Sequence, residues 1–168
     1  MDLALIELLI LDVDGVLTDG KIIIGPAGEG IKQFHVQDGC AIRLWQRCAG
    51  RVAILSGRGA EAVTRRAKEL AIELVHTGVT DKLAGYEEIL ASAGVRDGVV
   101  GYLADDLPDL APMARAGFAV AVADAVPAVK KAADYVTRRA GGRGVVAEVV
   151  ELLLRRRKRW SRDLLLQA

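Results

Sequence analysis

Two carboxylates two residues apart, Asp12 and Asp14, stand directly after the apolar run Leu8-Leu9-Ile10-Leu11. Desolvating such a pair at a strand end is costly unless a cation or a reaction uses it. A hard divalent ion such as Mg2+ takes oxygen ligands, and one aspartate can attack a phosphoryl group as a nucleophile. The alternative is an acidic turn without a ligand. Asp105, Asp106 and Asp109 follow a second apolar run at 99–104 and call for the same kind of ion. Pro108 suits the first turn of a helix there, so Asp109 is alternatively just an acidic helix start. Ser56, Gly57 and Arg58 close a third apolar run at 51–55. Hydroxyl, opened backbone and guanidinium make a phosphate cradle, although an ordinary turn can hold the same residues. Lys82 opens a helix against the macrodipole. It is either a partner for a phosphate and an attacking carboxylate together, or a solvated surface lysine.

The elements that must position these groups alternate in type. Apolar runs at 8–11, 51–55, 73–76, 99–104, 118–122 and 135–136 read as strands. Stretches at 38–49, 61–70, 82–93, 108–116, 126–133 and about 145–156 read as helices. A hairpin is expected from 21–24 and 31–36, joined by the turn-rich loop 25–30. Such alternation implies right-handed crossovers and a parallel sheet covered on both faces. The fold class is therefore α/β, a doubly wound parallel sheet with a small β-hairpin insertion at about 20–37. Ligands of open α/β sheets bind outside the carboxyl ends of the strands, where all four polar sets lie.

The chain has 168 residues with a formal net charge of +1, one domain's worth. The composition excludes a disordered, collagenous or disulfide-stapled chain. No run is long enough to span a membrane. Asp2 and Glu7, with no basic start, argue against a signal peptide. Cys40 and Cys48, eight apart on one helix, read as reduced thiols in a cytoplasmic protein. The near-neutral total conceals a basic tail: residues 155–168 carry six basic and one acidic side chain, leaving 1–154 net acidic. Residues 1–154 are expected to form the domain and 155–168 a separate tail.

Taken together, the Asp12–Asp14 run with Gly15, Thr18, Asp19 and Gly20, then Ser56-Gly57-Arg58, Lys82 and the Asp105–Asp109 cluster resemble the haloacid dehalogenase superfamily of phosphatases. With Phe34-His35-Val36-Gln37-Asp38-Gly39, Ile42-Arg43, Asp81-Lys82 and the glycine-rich 141–144, the chain is similar to the capless 3-deoxy-D-manno-octulosonate 8-phosphate phosphatase family. The resemblance implies a nucleophile at Asp12 and a general acid and base at Asp14. It implies Mg2+ held by Asp12, the Asp14 carbonyl and Asp105, supported by Asp106 and Asp109. Ser56 and Lys82 would bind the phosphoryl group. Asp14, His35, Val36, Gln37, Asp38, Gly39, Arg43, Arg58, Arg66 and Lys82 would contact a phosphorylated sugar acid. It also implies a homotetramer, hairpins packed together and each pocket completed by a neighbour, because no insertion is large enough for a cap. No nucleic-acid or membrane partner is implied.

The chain departs from the family's pattern at Ala104, where glycine is usual, at Cys40-Ala41, and at Gln37, often arginine. These changes bear on which sugar is used: the eight-carbon substrate or a nine-carbon sialic-acid-type 9-phosphate. A phospho-acceptor regulatory domain is the non-enzymatic alternative, but its acceptor aspartate belongs after a middle strand, where this chain has Ser56. Loss of catalysis in a regulatory relative is argued against by Asp12 and Asp14, both present. The tail is open to three readings: a solvated helix end, an arm reaching a neighbour's active site, or a nucleic-acid or anionic-surface patch.

Overall fold

The computed structural model describes residues 2–28 and 30–166. Met1, Glu29 of the hairpin loop, and Gln167 and Ala168 of the tail lie outside the described residues. Six strands form one sheet: β1 (Leu8–Leu11), β4 (Arg51–Ser56), β5 (Leu74–Thr77), β6 (Val100–Ala104), β7 (Phe118–Ala121) and β8 (Tyr135–Val136). Two more, β2 (Ile23–Ile24) and β3 (Gly30–Ile31), make a separate antiparallel hairpin. The main sheet runs β5-β4-β1-β6-β7-β8 with every pairing parallel. All four β1 residues are buried, as an apolar run covered on both faces requires. The chain builds outward from β1 through β4 to β5, then returns to β6 on the other side. That reversal opens a crevice at the carboxyl end of β1.

Helices α1 (Val36–Arg47), α2 (Glu61–Glu69), α3 (Lys82–Ala93), α4 (Leu110–Arg115), α5 (Pro127–Ala132), α6 (Val145–Arg156) and α7 (Arg162–Leu165) complete the molecule. The α1 and α6 helices pack together, as do α3 and α4. Trp45 is the bulkiest fully buried side chain of α1, and its indole Nε1 donates to the Arg51 carbonyl at 3.0 Å.

Three expectations need correction. The second hairpin strand does not reach residue 36. It ends at Ile31, because the His35 ring nitrogen Nδ1 accepts from the Gln37 amide at 3.3 Å and starts α1 at Val36. The first hairpin strand is likewise only Ile23–Ile24. The helix expected at 108–116 is divided: a tight turn at Leu107–Asp109, capped by Asp106, precedes α4, which starts at Leu110.

Nor does the basic stretch leave the body at once. The Arg157 guanidinium lies 4.3 Å from the Trp45 ring centroid and donates to the carbonyls of Ile6 and Cys48. Arg155 stacks over Trp160 at 5.5 Å, and Trp160 and Leu164 pack on the core. Replacing Arg157 by Ala removes a cation–π contact and two hydrogen bonds to carbonyls. The expected cost is about 1–2 kcal/mol, read as a lower urea midpoint with an unchanged slope; an unchanged midpoint would show that 157 is not an anchor.

Candidate active site

Asp12 follows β1, and its amide donates to the Leu103 carbonyl of β6 at 3.2 Å. The chain then turns tightly through 13–17, with Gly15 at φ +87°. A Cβ at Gly15 would stand 2.0 Å from an Asp105 carboxylate oxygen. Glycine therefore serves twice: it adopts the left-handed turn and admits the carboxylate from the end of β6. From the opposite side, the Gly142 amide donates to the Val16 carbonyl at 2.9 Å, so the glycine-rich loop at 141–144 buttresses this turn.

Lys82, the first residue of α3, reaches into the crevice. Asp81 caps the helix by accepting from the Leu83 and Ala84 amides, which points the neighbouring lysine inward. Its ammonium lies 3.0 Å from Asp12 Oδ1 and 2.6 Å from Asp109 Oδ1. The Tyr102 hydroxyl donates to the same Asp109 oxygen at 2.7 Å. Burial works against the lysine's charge, but Asp12 and Asp109 outweigh it and raise its pKa. Lys82 is a buried ionic partner, not a surface lysine.

Asp12, Asp105 and Asp109 bring one carboxylate oxygen each within 4.8 Å of one another. Burial first, and then repulsion from Asp109, push Asp12 up to about 6. Burial and repulsion from Asp12 and Asp109 push Asp105 up to about 8. Asp105 Oδ1 is buried without a hydrogen-bond partner. Crowded acids with an unpartnered buried oxygen fit a divalent cation, which would relieve both the repulsion and the desolvation. Asp109, fully buried, already serves Lys82 and Tyr102, so Asp12 and Asp105 are the freer pair. Asp106 turns outward: its carboxylate accepts from the Leu107 amide at 2.8 Å and caps the turn at 107–109.

The Asp14 carboxylate lies outside that cluster. One oxygen accepts from the Lys32 ammonium, and the other, 3.9 Å from Arg58 Nε, has no hydrogen-bond donor. Lys32 is not among the residues that the motifs single out. In the expected hairpin strand it is one polar residue in an alternating pattern; in the structure it stands just beyond β3 and reaches Asp14. Ser56 Oγ accepts from the Arg58 amide at 3.3 Å. Asp12, Asp14, Ser56, Arg58, Lys82 and Asp105 together line one cavity of about 470 Å3.

The remaining residues expected at the substrate do not line this cavity. Asp38 is buried and accepts from the Ala147 amide at 2.9 Å, tying α1 to the start of α6. Burial raises its pKa, and the backbone donors of α6 oppose the shift. The Gln37 side chain accepts from Arg139 at 2.8 Å. His35 caps α1, while Val36 and Arg43 are exposed. Arg66 lies against Gly39, where a Cβ would meet its guanidinium at 2.2 Å, and pairs with Glu69 at 2.8 Å. Within one subunit these residues lie on or next to α1 and α2, away from the cavity that holds Asp12. Position along the chain could not reveal that separation.

Residues 53–149 match the model of the haloacid dehalogenase-like hydrolase family. A 3-deoxy-D-manno-octulosonate 8-phosphate phosphatase, KdsC of Yersinia pestis, is 47% identical over 149 residues, covering 89% of this chain and 80% of its own length. A crystal structure of the phosphatase of that name from Moraxella catarrhalis, in complex with magnesium ion, phosphate ion and KDO, superposes with a TM-score of 0.94 at 35% identity. The match covers 99% of this chain and 96% of that one. The cobalt-bound phosphatase from Haemophilus influenzae matches with a TM-score of 0.94 at 36% identity, covering 99% of each chain.

The raised acids give a pH signature. Between its unfolded value and about 8, Asp105 holds its proton in the folded chain but not in the unfolded one. Metal-free stability supplied by the other groups is therefore offset progressively as pH rises through that window. Asp105→Asn should melt a few degrees above wild type at pH 8 without Mg2+, where about 1 kcal/mol moves a domain of this size by roughly 2–4 °C. The gap should close toward pH 5, and added Mg2+ should raise the melting temperature of wild type only. A gap independent of pH would refute this account of the cluster.

Proposed function

The chain belongs to the haloacid dehalogenase-like hydrolases, and from that premise we propose that it is a Mg2+-dependent phosphatase hydrolysing 3-deoxy-D-manno-octulosonate 8-phosphate. The observation that carries this reading is the buried Asp12 carboxylate. Lys82 holds one of its oxygens, and Asp12 faces a cavity shared with Ser56, Asp14 and Arg58. The similarity to phosphatases of that name supports the substrate.

In the proposed reaction, an Asp12 oxygen attacks phosphorus and the bond from phosphorus to the sugar oxygen breaks, leaving an aspartyl-phosphate. Asp14 gives its proton to the departing sugar oxygen. It then takes a proton from a water that attacks phosphorus, the Asp12–phosphorus bond breaks, and inorganic phosphate leaves. Lys82 and the Ser56 hydroxyl receive the phosphoryl oxygens, and Arg58 faces the substrate's charge at the cavity wall. Asp12 and Asp105, with the Asp14 carbonyl, would hold the magnesium ion, while Asp109 holds Lys82. When bound, the ion supplies positive charge against the transferring phosphoryl group.

The group of His35, Gln37, Arg43 and Arg66 is assigned to a neighbouring subunit's pocket in a homotetramer. Ile22, Ile24 and Ile31 are all exposed around the hairpin, Ile24 by 71%. Such an apolar patch without a cover in the subunit suits an interface. Among the described residues, no helix is long and apolar enough to cross a membrane. The free thiols of Cys40 and Cys48 suit a cytoplasmic location.

Phosphate release with Mg2+ should be fastest on the eight-carbon substrate within a panel that includes nine-carbon 9-phosphates. Asp12→Asn should lose activity at least about a thousandfold. No Mg2+-dependent turnover across the panel would overturn the enzyme reading. Ile24→Asp should shift sedimentation from tetramer to smaller species and raise KM; a fully active wild-type monomer would refute the assembly.

A further inference from the structure

The hairpin insertion delivers one side chain to Asp14 that the motifs do not account for. Lys32 stands one residue beyond β3, yet its side chain is only 9% exposed, unusual for a lysine in a surface insertion. Its ammonium bonds Asp14 Oδ1. The other Asp14 oxygen is buried without a donor, and its remaining cationic neighbour, Arg58, stands off at 3.9 Å with a guanidinium that is mostly exposed. Lys32 is thus the group that fixes the Asp14 side chain. A carboxyl group gripped at one oxygen keeps a single rotamer, and Asp14 is held in it at the cavity wall.

We propose that Lys32 is a positioning residue for the acid–base aspartate, so that the hairpin is part of the catalytic apparatus of its own subunit. The inference rests on the phosphatase reading above and on the acid–base role given to Asp14. Lys32 itself touches neither the phosphoryl group nor the nucleophile. Its ammonium holds the partly buried Asp14 side chain at one oxygen, and its short reach from β3 ties the orientation of that carboxyl group to the seating of the hairpin.

The two proton transfers separate this role from a structural one. A sugar alcohol needs a proton as it leaves, whereas p-nitrophenolate does not. Because kcat/KM reports only the steps through the first irreversible bond cleavage, it isolates the acid step. The test compares wild type, Lys32→Met and Asp14→Asn, with Mg2+, on the sugar-acid phosphate and on p-nitrophenyl phosphate. General acid catalysis contributes about 10²–10⁴-fold. Asp14→Asn should therefore lose kcat/KM in that range on the sugar phosphate and far less on the aryl ester. Lys32→Met should repeat the pattern, with at least a tenfold greater loss on the sugar phosphate than on the aryl ester, while its melting temperature and sedimentation match wild type.

Equal losses on both substrates, or none on either, would overturn the positioning role. A loss accompanied by a lower melting temperature or a smaller assembly would overturn it in favour of a structural role. Wild-type inactivity on both substrates would instead overturn the phosphatase reading. An Asp14→Asn variant that loses both substrates alike would overturn the acid–base role of Asp14.

Discussion

One buried cation compensates the charge at the centre of this molecule. Three carboxylates meet where β1 and β6 end, those of Asp12 and Asp109 buried and that of Asp105 partly exposed. Without a counter-charge they could not ionise together. Lys82 offsets part of the repulsion by lying between Asp12 and Asp109, while Asp105, pushed up to about 8, keeps its proton longest. The consequences spread outward. The Asp81 cap sets where α3 begins, Tyr102 donates to the Asp109 oxygen that Lys82 holds, and Gly15 leaves room for Asp105 under the first loop. Removing one member of such a network exposes the others to uncompensated burial, which is why ionic clusters of this kind act as units.

Much of the fold was legible because its signals are local. Continuous apolar runs closed by acidic or glycine-rich turns gave the six main strands in their observed order, and β1 shows why: a four-residue apolar stretch buried on both faces has few alternatives. The residues lining the cavity were legible for the same reason. Each ends a strand or opens a helix, and the topology brings those ends together. The hairpin was overextended because alternation from 31 to 36 looks like a strand, whereas a histidine cap and a buried lysine decide its course. Asp38 illustrates a second limit. Its place in a substrate-like run says nothing of the Ala147 amide, 109 residues away, that holds its carboxylate.

The two sets of expected substrate residues divide along a physical line. Those with charge near the reacting centre face inward, where burial makes each contact strong. Those on α1 and α2 lie away from the cavity, some tied to the backbone or to neighbouring side chains and others exposed. In the proposed homotetramer, specificity for the sugar and catalysis on the phosphate would lie on surfaces that assembly brings together. The basic C-terminal stretch belongs to neither set through its first residues, since Arg157 is held on Trp45 and the carbonyls of Ile6 and Cys48.

The position of β1 between β4 and β6 also bears on how the chain acquires its site. Leu8 pairs with Arg51 on one side and Val100 on the other, so the central strand is completed only by contacts distant in sequence. Such pairings form slowly, because loop closure precedes any reward. Asp12, Lys82 and Asp105 come from three segments on both sides of that strand, and no partly folded intermediate lacking β6 can hold them together. A divalent ion that needs Asp12 and Asp105 together therefore binds the finished sheet and not its precursors. By mass action it draws the folding equilibrium toward the native state, making metal supply a determinant of how much protein matures as well as of how fast it works.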